Sequence, residues 1–117
     1  MNTRGTIENY FAALQSQGGW DSYLADDLAF ALHSTPVKRI TGCDAYLEST
    51  KGFYGMITSV QVRDLLVDGN KACALTQYQL QPPSGQPFTS DVAEVFNVKD
   101  GQIDSLSLYF DSAPYPS

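Results

Sequence analysis

The segment ITSVQVRDLLVDGNKACALTQYQL, residues 57–80, predicts a β-hairpin that opens an all-strand second half of the chain. Residues 57–67 are rich in β-branched and apolar side chains, and Asp68-Gly69-Asn70 is a strong signal for a hairpin turn. Residues 71–80 return as the second strand. The hairpin therefore predicts that the C-terminal half is a sheet.

A second hairpin follows a loop rich in Pro and Gly. Residues 88–98 and 102–110 have the same strand character and flank a turn at Lys99-Asp100-Gly101. We therefore expect at least four strands after Met56.

Alternation along the last three of these strands sorts their side chains into two faces. The predicted inner face is mostly apolar and consists of Ala72, Ala74, Thr76, Tyr78, Leu80, Phe88, Val92, Glu94, Phe96, Val98, Leu106, Leu108 and Phe110. The outer face mixes small polar and apolar groups, among them Leu75, Gln77, Asp91, Asn97 and Tyr109. Because this composition suits contact with a second chain better than open water, we expect a homodimer through the outer face.

Amphipathic helices precede the strands. Apolar side chains recur at helical spacing at Ile7, Tyr10, Phe11 and Leu14, which predicts a helix over residues 3–17. Gly18-Gly19 ends it. The same spacing at Trp20, Tyr23 and Leu24 predicts a short second helix.

A short strand and a third helix complete the N-terminal half. Leu28, Phe30 and Leu32 alternate with alanines and predict a strand, which Pro36 ends.

Thr41 and Asp44 resemble a capping box and predict that the third helix has Thr41 as its N-cap. This helix runs to about Phe53 and buries Tyr46, Leu47 and Phe53, with Tyr54 as a further candidate. Helices followed by an antiparallel sheet predict an α+β fold whose sheet curls over the helices.

Length and composition favour one domain. A chain of 117 residues with 43% hydrophobic residues can bury one core without disulfides or metals. We expect a single domain over residues 1–111 and a C-terminal tail over residues 112–117.

Charge and composition exclude several function classes. A net charge of −6 opposes binding to nucleic acid and to anionic membranes. The sequence shows no apolar leader or membrane-length apolar run, so we expect a cytoplasmic protein. Cys43 and Cys73 lack redox or zinc spacing, and His33 is the one histidine, so we predict no metal.

Several short motifs together resemble the nuclear transport factor 2-like superfamily over nearly the whole chain. They are Tyr10-Phe11-Ala12-Ala13-Leu14, Leu24-Ala25-Asp26-Asp27, Gly42 at the start of the third helix, and Asp100-Gly101-Gln102-Ile103. The closing Tyr109-Phe110-Asp111 is similar to the SnoaL-like branch, which includes polyketide cyclases. The resemblance implies a cone-shaped, cystatin-like fold with an apolar pocket. It also implies a homodimer, and proton-transfer chemistry without metal or organic cofactor.

Ketosteroid isomerases share that fold, and their site can be compared position by position. Their oxyanion tyrosine matches Tyr10, and their oxyanion aspartate matches Glu94. Their general base falls on Leu32, which cannot abstract a proton. The resemblance therefore does not predict steroid isomerase activity.

Glu94 stands out without any resemblance, because it interrupts an apolar stripe between Val92 and Phe96. Desolvation there predicts a raised pKa. Two other interpretations stay open: the strand twists Glu94 to the rim, or Lys38 or Arg39 neutralises it.

The candidate catalytic residues are Tyr10, Glu94 and His33. Tyr10 and Glu94 would both donate to a ligand oxygen. His33 points away from the pocket by strict alternation and would enter only through a bulge.

The predicted ligand is a small, mostly apolar molecule with a carbonyl or hydroxyl group. The predicted pocket wall consists of Phe30, Leu32, Tyr46, Phe53, Thr76, Tyr78, Phe96, Leu108 and Phe110. An isomerase, cyclase or dehydratase, a non-catalytic binding module and an association domain all remain compatible with the sequence.

Overall fold

The computed structural model describes residues 2–33, 37–111, 113 and 115. Within them lie two α-helices, α1 (Thr3–Gln15) and α2 (Cys43–Met56), and one 3₁₀ turn (Trp20–Tyr23). The strands are β1 (Leu24–His33), β2 (Lys38–Thr41), β3 (Ile57–Asp68), β4 (Lys71–Leu80), β5 (Phe88–Lys99) and β6 (Gln102–Phe110). This arrangement confirms the predicted α+β class.

The strands form one curved sheet in the order β2-β1-β6-β5-β4-β3. The two predicted hairpins are present as β3–β4 and β5–β6, and β4 also pairs antiparallel with β5. One pairing departs from the predicted antiparallel pattern, because β1 and β6 run parallel, with Leu32 opposite Leu108. Parallel neighbours need a long connection, and here most of the chain lies between them.

Three local predictions are corrected by the structure. The predicted second helix is a single 3₁₀ turn. The first strand begins at Leu24 rather than near Leu28, with a register irregularity between Leu24 and Ala29. The strand β2 was not predicted at all. Pro36, the predicted end of the first strand, lies outside the described residues.

The predicted capping box at Thr41 is also wrong. Thr41 ends β2 and pairs with Ala29 on β1. Gly42 precedes α2 with a φ of 99° and makes no side-chain cap. Glycine adopts this backbone conformation at little cost, so Gly42 makes the sharp passage from strand to helix.

The core lies between the helices and the concave side of the sheet. α1 packs on β3, β4 and β5, and α2 packs on β1 and β2. The rings of Tyr10, Phe11 and Phe96 meet edge to face, with centroids 5.1 to 6.0 Å apart. The predicted inner face is confirmed, because its side chains are buried or half-buried. Among the described residues no helix is long and apolar enough to cross a membrane.

Candidate functional site

A cavity of about 220 Å³ lies between α2 and the concave face of the sheet. Its apolar walls come from β1, α2, β5 and β6 and consist of Phe30, Leu32, Phe53, Met56, Val92, Leu108 and Phe110. Its polar lining consists of Lys38, Tyr46, Ser49, Thr50, Tyr54, Tyr78, Glu94 and Tyr115. An apolar cavity with a few polar groups is the usual form of a small-molecule site.

Glu94 is the one carboxylate that the described residues contribute to this lining, and only 2% of it is exposed. Tyr78 donates a hydrogen bond to its Oε2 over 2.7 Å, and Thr76 Oγ1 lies 2.8 Å from the same oxygen. Both partners stand on the inner face of β4, two and four residues beyond Ala74, which lies opposite Glu94. The two hydroxyls therefore hold Oε2 against the sheet.

Thr76 has a second acceptor, because its hydroxyl also lies 3.1 Å from the carbonyl oxygen of Val92. A hydroxyl carries one proton and can donate to only one of these two acceptors at a time. Tyr78 is therefore the dedicated donor to Glu94, and Thr76 is a shared one.

Burial raises the pKa of Glu94 from 4.5 to about 7, and the hydrogen bonds from Tyr78 and Thr76 only partly oppose this rise. The predicted direction is confirmed. Neither of the two open interpretations of Glu94 holds. The first fails because a side chain buried to this extent does not lie at the rim of the sheet. No ion pair joins Glu94 to a cation in the described part of the chain.

A chain of three tyrosine hydroxyls lies beside the cavity. Tyr54 hydrogen-bonds Tyr10 over 3.0 Å and also hydrogen-bonds Tyr46. Burial raises the pKa of all three well above the usual range, so they remain protonated donors at neutral pH. Three protons serve two hydrogen bonds, so one of the three hydroxyl protons is available to another acceptor.

Seven of the nine predicted wall residues line the cavity: Phe30, Leu32, Tyr46, Phe53, Tyr78, Leu108 and Phe110. The other two lie behind the wall. Thr76 contacts Glu94, and Phe96 packs against Tyr10.

The three predicted catalytic residues do not converge. Glu94 lines the cavity, whereas Tyr10 lies behind Tyr54 and reaches the cavity only through it. His33 lies outside, with its ring stacked on that of Tyr109 at 4.3 Å on the outer face. In place of Tyr10, its hydrogen-bonded partner Tyr54 lines the cavity together with Glu94.

Seven lining residues are absent from the predicted wall and catalytic sets: Lys38, Ser49, Thr50, Tyr54, Met56, Val92 and Tyr115. Tyr54 lies eight residues after Tyr46 and one residue beyond the predicted end of the helix, so helical spacing places the two tyrosines near each other on one side of the helix. Tyr115 packs between Phe88 and Phe110 and donates to Ser90 Oγ over 2.8 Å. No periodicity in the C-terminal residues signals this contact.

The raised pKa of Glu94 makes stability depend on pH. Well below about pH 4.5 the carboxyl is protonated in the native and unfolded states, so its ionisation does not lower the free energy of unfolding. As the pH rises, the unfolded chain ionises first, so the free energy of unfolding falls until about pH 7 and then levels off. Glu94→Gln should therefore gain about 3 kcal/mol over wild type between about pH 4.5 and 8. Urea unfolding at several pH values measures this difference.

Asp91→Asn on the exposed side of the same strand is the matched control, and its free energy of unfolding should keep the fall with pH that Glu94 causes in wild type. Carbon NMR of the Glu94 carboxyl gives the pKa directly. Tyr78→Phe should raise that pKa further, because it removes the dedicated donor. Parallel stability curves for wild type and Glu94→Gln would contradict the prediction.

Comparison with solved structures establishes the fold independently. A nuclear transport factor 2-like protein of unknown function from Burkholderia pseudomallei matches with a TM-score of 0.80 at 15% identity, over 97% of this chain and 94% of that one. A similar protein of unknown function from Cytophaga hutchinsonii matches with a TM-score of 0.78 at 19% identity, over 97% and 94%. TerC, co-crystallised with polyporic acid, matches with a TM-score of 0.80 at 13% identity, over 97% and 94%. At these identities the likeness concerns the fold alone.

Sequence comparison gives a more specific result. No curated protein matches the chain. The profile of the SnoaL-like domain matches residues 7–106, which include most of α1, all of α2, the hairpin of β3 and β4, the strand that carries Glu94 and the first half of β6. The chain therefore belongs to the SnoaL-like domain family.

Proposed function

We propose that this chain is a cytoplasmic pocket protein that binds a compact, mostly apolar molecule through a carbonyl or hydroxyl oxygen. In this proposal protonated Glu94 donates the hydrogen bond that orients the ligand. The observation that carries it is a buried carboxyl with a pKa of about 7 in the wall of an apolar cavity. The cavity is smaller than the roughly 300–1,000 Å³ of pockets for drug-sized molecules, which favours a compact ligand.

The hydrogen bonds around Glu94 leave one oxygen for the ligand. Oε2 accepts from Tyr78 and Thr76, whereas no described residue hydrogen-bonds Oε1. Every fully buried side-chain oxygen of the described residues has a hydrogen-bond partner. Because Oε1 has none, it is not fully buried, and we infer that it faces the cavity that Glu94 lines. A proton on Oε1 points to a ligand oxygen, while Oε2 stays fixed by its donors.

Binding of a ketone should therefore follow the protonation of Glu94. The bicyclic ketone tetralone should bind wild type roughly tenfold more tightly at about pH 6 than at about pH 8.5, because the ionised carboxylate cannot donate. Met56 lines the cavity and is one of two methionines, so its methyl NMR signal reports binding.

Two matched comparisons isolate the hydrogen bond. Tetralin, which lacks the oxygen, should bind equally at both pH values. Glu94→Gln keeps an N–H donor at every pH and should bind tetralone without pH dependence. Equal wild-type affinities for tetralone at the two pH values would contradict the role of Glu94.

A second candidate function is proton transfer, favoured by the pKa of Glu94 near the working pH. Ionised Glu94 would take a proton from the carbon beside the ligand carbonyl, leaving an enolate. It would then return the proton to the same or a neighbouring carbon. Tyr46 lines the cavity at one end of the tyrosine chain and would donate to the enolate oxygen. Return of the proton to carbon completes an isomerisation. In a dehydration the proton would instead go to a hydroxyl on the next carbon, which leaves as water. In a cyclisation it would go to the alkoxide that forms when the enolate carbon attacks a second carbonyl of the ligand, and none of these routes uses a cofactor.

Deuterium exchange distinguishes an enzyme from a binding module. In heavy water, wild type should exchange the protons beside the tetralone carbonyl on the order of a hundredfold faster than Glu94→Gln. Proton NMR of tetralone measures the loss of signal, and Asp91→Asn should behave as wild type. Exchange at the buffer rate in a protein that still binds tetralone would leave binding as the sole function of the pocket.

The outer face supports the proposal of a homodimer. Leu66, Leu75 and Tyr109 are 57%, 42% and 47% exposed, and the strand register places them on this face. Apolar groups of this size interspersed with polar ones are typical of a surface that contacts a partner.

Light scattering at tens of micromolar, roughly the range of weak dimers, should give the mass of a dimer. Leu75→Arg should give a monomer, because it places a charge in the contact. Val37→Arg alters an equally exposed apolar residue next to β2 and should remain a dimer. A wild-type monomer would refute the homodimer.

A further inference from the structure

Lys38 enters the cavity because of the register of the edge strand β2. It pairs with Leu32 on β1, and residues opposite each other in an antiparallel pair project from the same face. Leu32 lines the cavity, and so does Lys38. Arg39, the next residue, projects from the other face.

Lys38 and Glu94 stand in one row across the sheet. Lys38 lies opposite Leu32, Leu32 opposite Leu108, and Leu108 opposite Glu94. All four side chains line the cavity. Three strand spacings separate the two ends of the row, about 14 Å along the sheet, and the curvature of the sheet brings them closer.

The ammonium of Lys38 is held at the cavity without a carboxylate partner. Its Nζ donates to Ser49 Oγ on α2 over 3.0 Å, and Ser49 also lines the cavity. Within the described residues the two ion pairs are Arg4–Glu8 and Lys51–Glu48, so Lys38 is in neither. It is also the one cationic side chain of the described lining.

A lysine on an edge strand can also serve to prevent edge-to-edge pairing. Arg39 and Val37 flank Lys38 and are as exposed, and neither lines the cavity. The hydrogen bond to Ser49 and the shared row with Glu94 are specific to Lys38.

We propose that the ligand is a small carboxylic acid, bound as its anion. Its carboxylate would lie on Lys38 and Ser49, its ring or hydrocarbon body would cover Leu32 and Leu108, and its carbonyl or hydroxyl would reach Glu94. This assignment rests on the proposed function and names the class of molecule that the pocket takes.

Charge favours the anion at this position despite the acidic protein. The net charge of −6 repels anions at long range, but salt screens that repulsion beyond about 8 Å. Lys38 attracts the carboxylate at contact distance, and a protonated Glu94 at the far end of the row adds no repulsion. The ligand therefore gains a charge-assisted hydrogen bond at one end and a neutral one at the other.

The test compares para-acetylbenzoate with para-acetylbenzamide, which has the same shape and no charge. At about pH 6 and about 0.15 M salt, wild type should bind the acid roughly five- to tenfold more tightly than the amide. Lys38→Gln should abolish this preference, chiefly by weakening the binding of the acid. Arg39→Gln removes the same charge from the other face and should retain the preference. The Met56 methyl signal reports each titration.

Three outcomes would overturn the proposal: equal binding of acid and amide to wild type, binding of neither, or an equal effect of Arg39→Gln and Lys38→Gln. Tetralone, titrated into the same samples, separates this failure from failure of the proposed function. If tetralone binds with its dependence on Glu94 while the acid shows no preference, only the carboxylate class is wrong. If tetralone also fails to bind, the pocket assignment itself is wrong.

Discussion

The structure depends on how a six-stranded sheet with one apolar face is covered by only two helices. α1 covers β3, β4 and β5 through the edge-to-face cluster of Tyr10, Phe11 and Phe96. α2 covers β1 and β2. Other aromatic side chains pack beside the helices: Trp20 stacks on Tyr54 at 3.9 Å, and Tyr115 packs against Phe88 and Phe110. Covering a curved sheet in this way leaves a cavity beside the packed core.

The hollow determines the behaviour of Glu94. In a solid core its carboxyl would lose all contact with water and would need full pairing to remain. At the cavity wall two hydroxyls fix one oxygen, and burial raises the pKa of the carboxyl to about 7, so the group can hold or release a proton near neutral pH. The same geometry that lowers stability at neutral pH gives the pocket a proton donor near neutrality. Stability and chemistry are thus linked through one side chain.

Much of this arrangement could be predicted from the sequence, and the failures have physical causes. Alternation placed Glu94 on the inner face, because side-chain direction in a strand is a local property. The sequence did not predict β2, because only Ile40 of its four residues is apolar. Lys38 was therefore missed as a lining residue, since its position follows from the pairing of β2 with Leu32 on β1. Periodicity placed Tyr10 on the core side of α1 but could not tell that its hydroxyl ends on Tyr54. Hydroxyl directions and strand register depend on contacts between residues that are distant in sequence, and a single sequence does not reveal those contacts.

The choice of glutamate at position 94 is the strongest indication that the pocket has a function. Glutamine would accept the same hydrogen bonds from Tyr78 and Thr76, fill the same volume and avoid the cost of ionisation. A leucine would continue the stripe of Val92 and Phe96 and add apolar burial, but it would leave the buried hydroxyl of Tyr78 without its acceptor. Stability alone therefore favours glutamine, and local rules of folding are most often broken at functional sites. What glutamate adds over both is a proton that can be given and taken back near neutral pH, and that property is useful only to a molecule in the cavity.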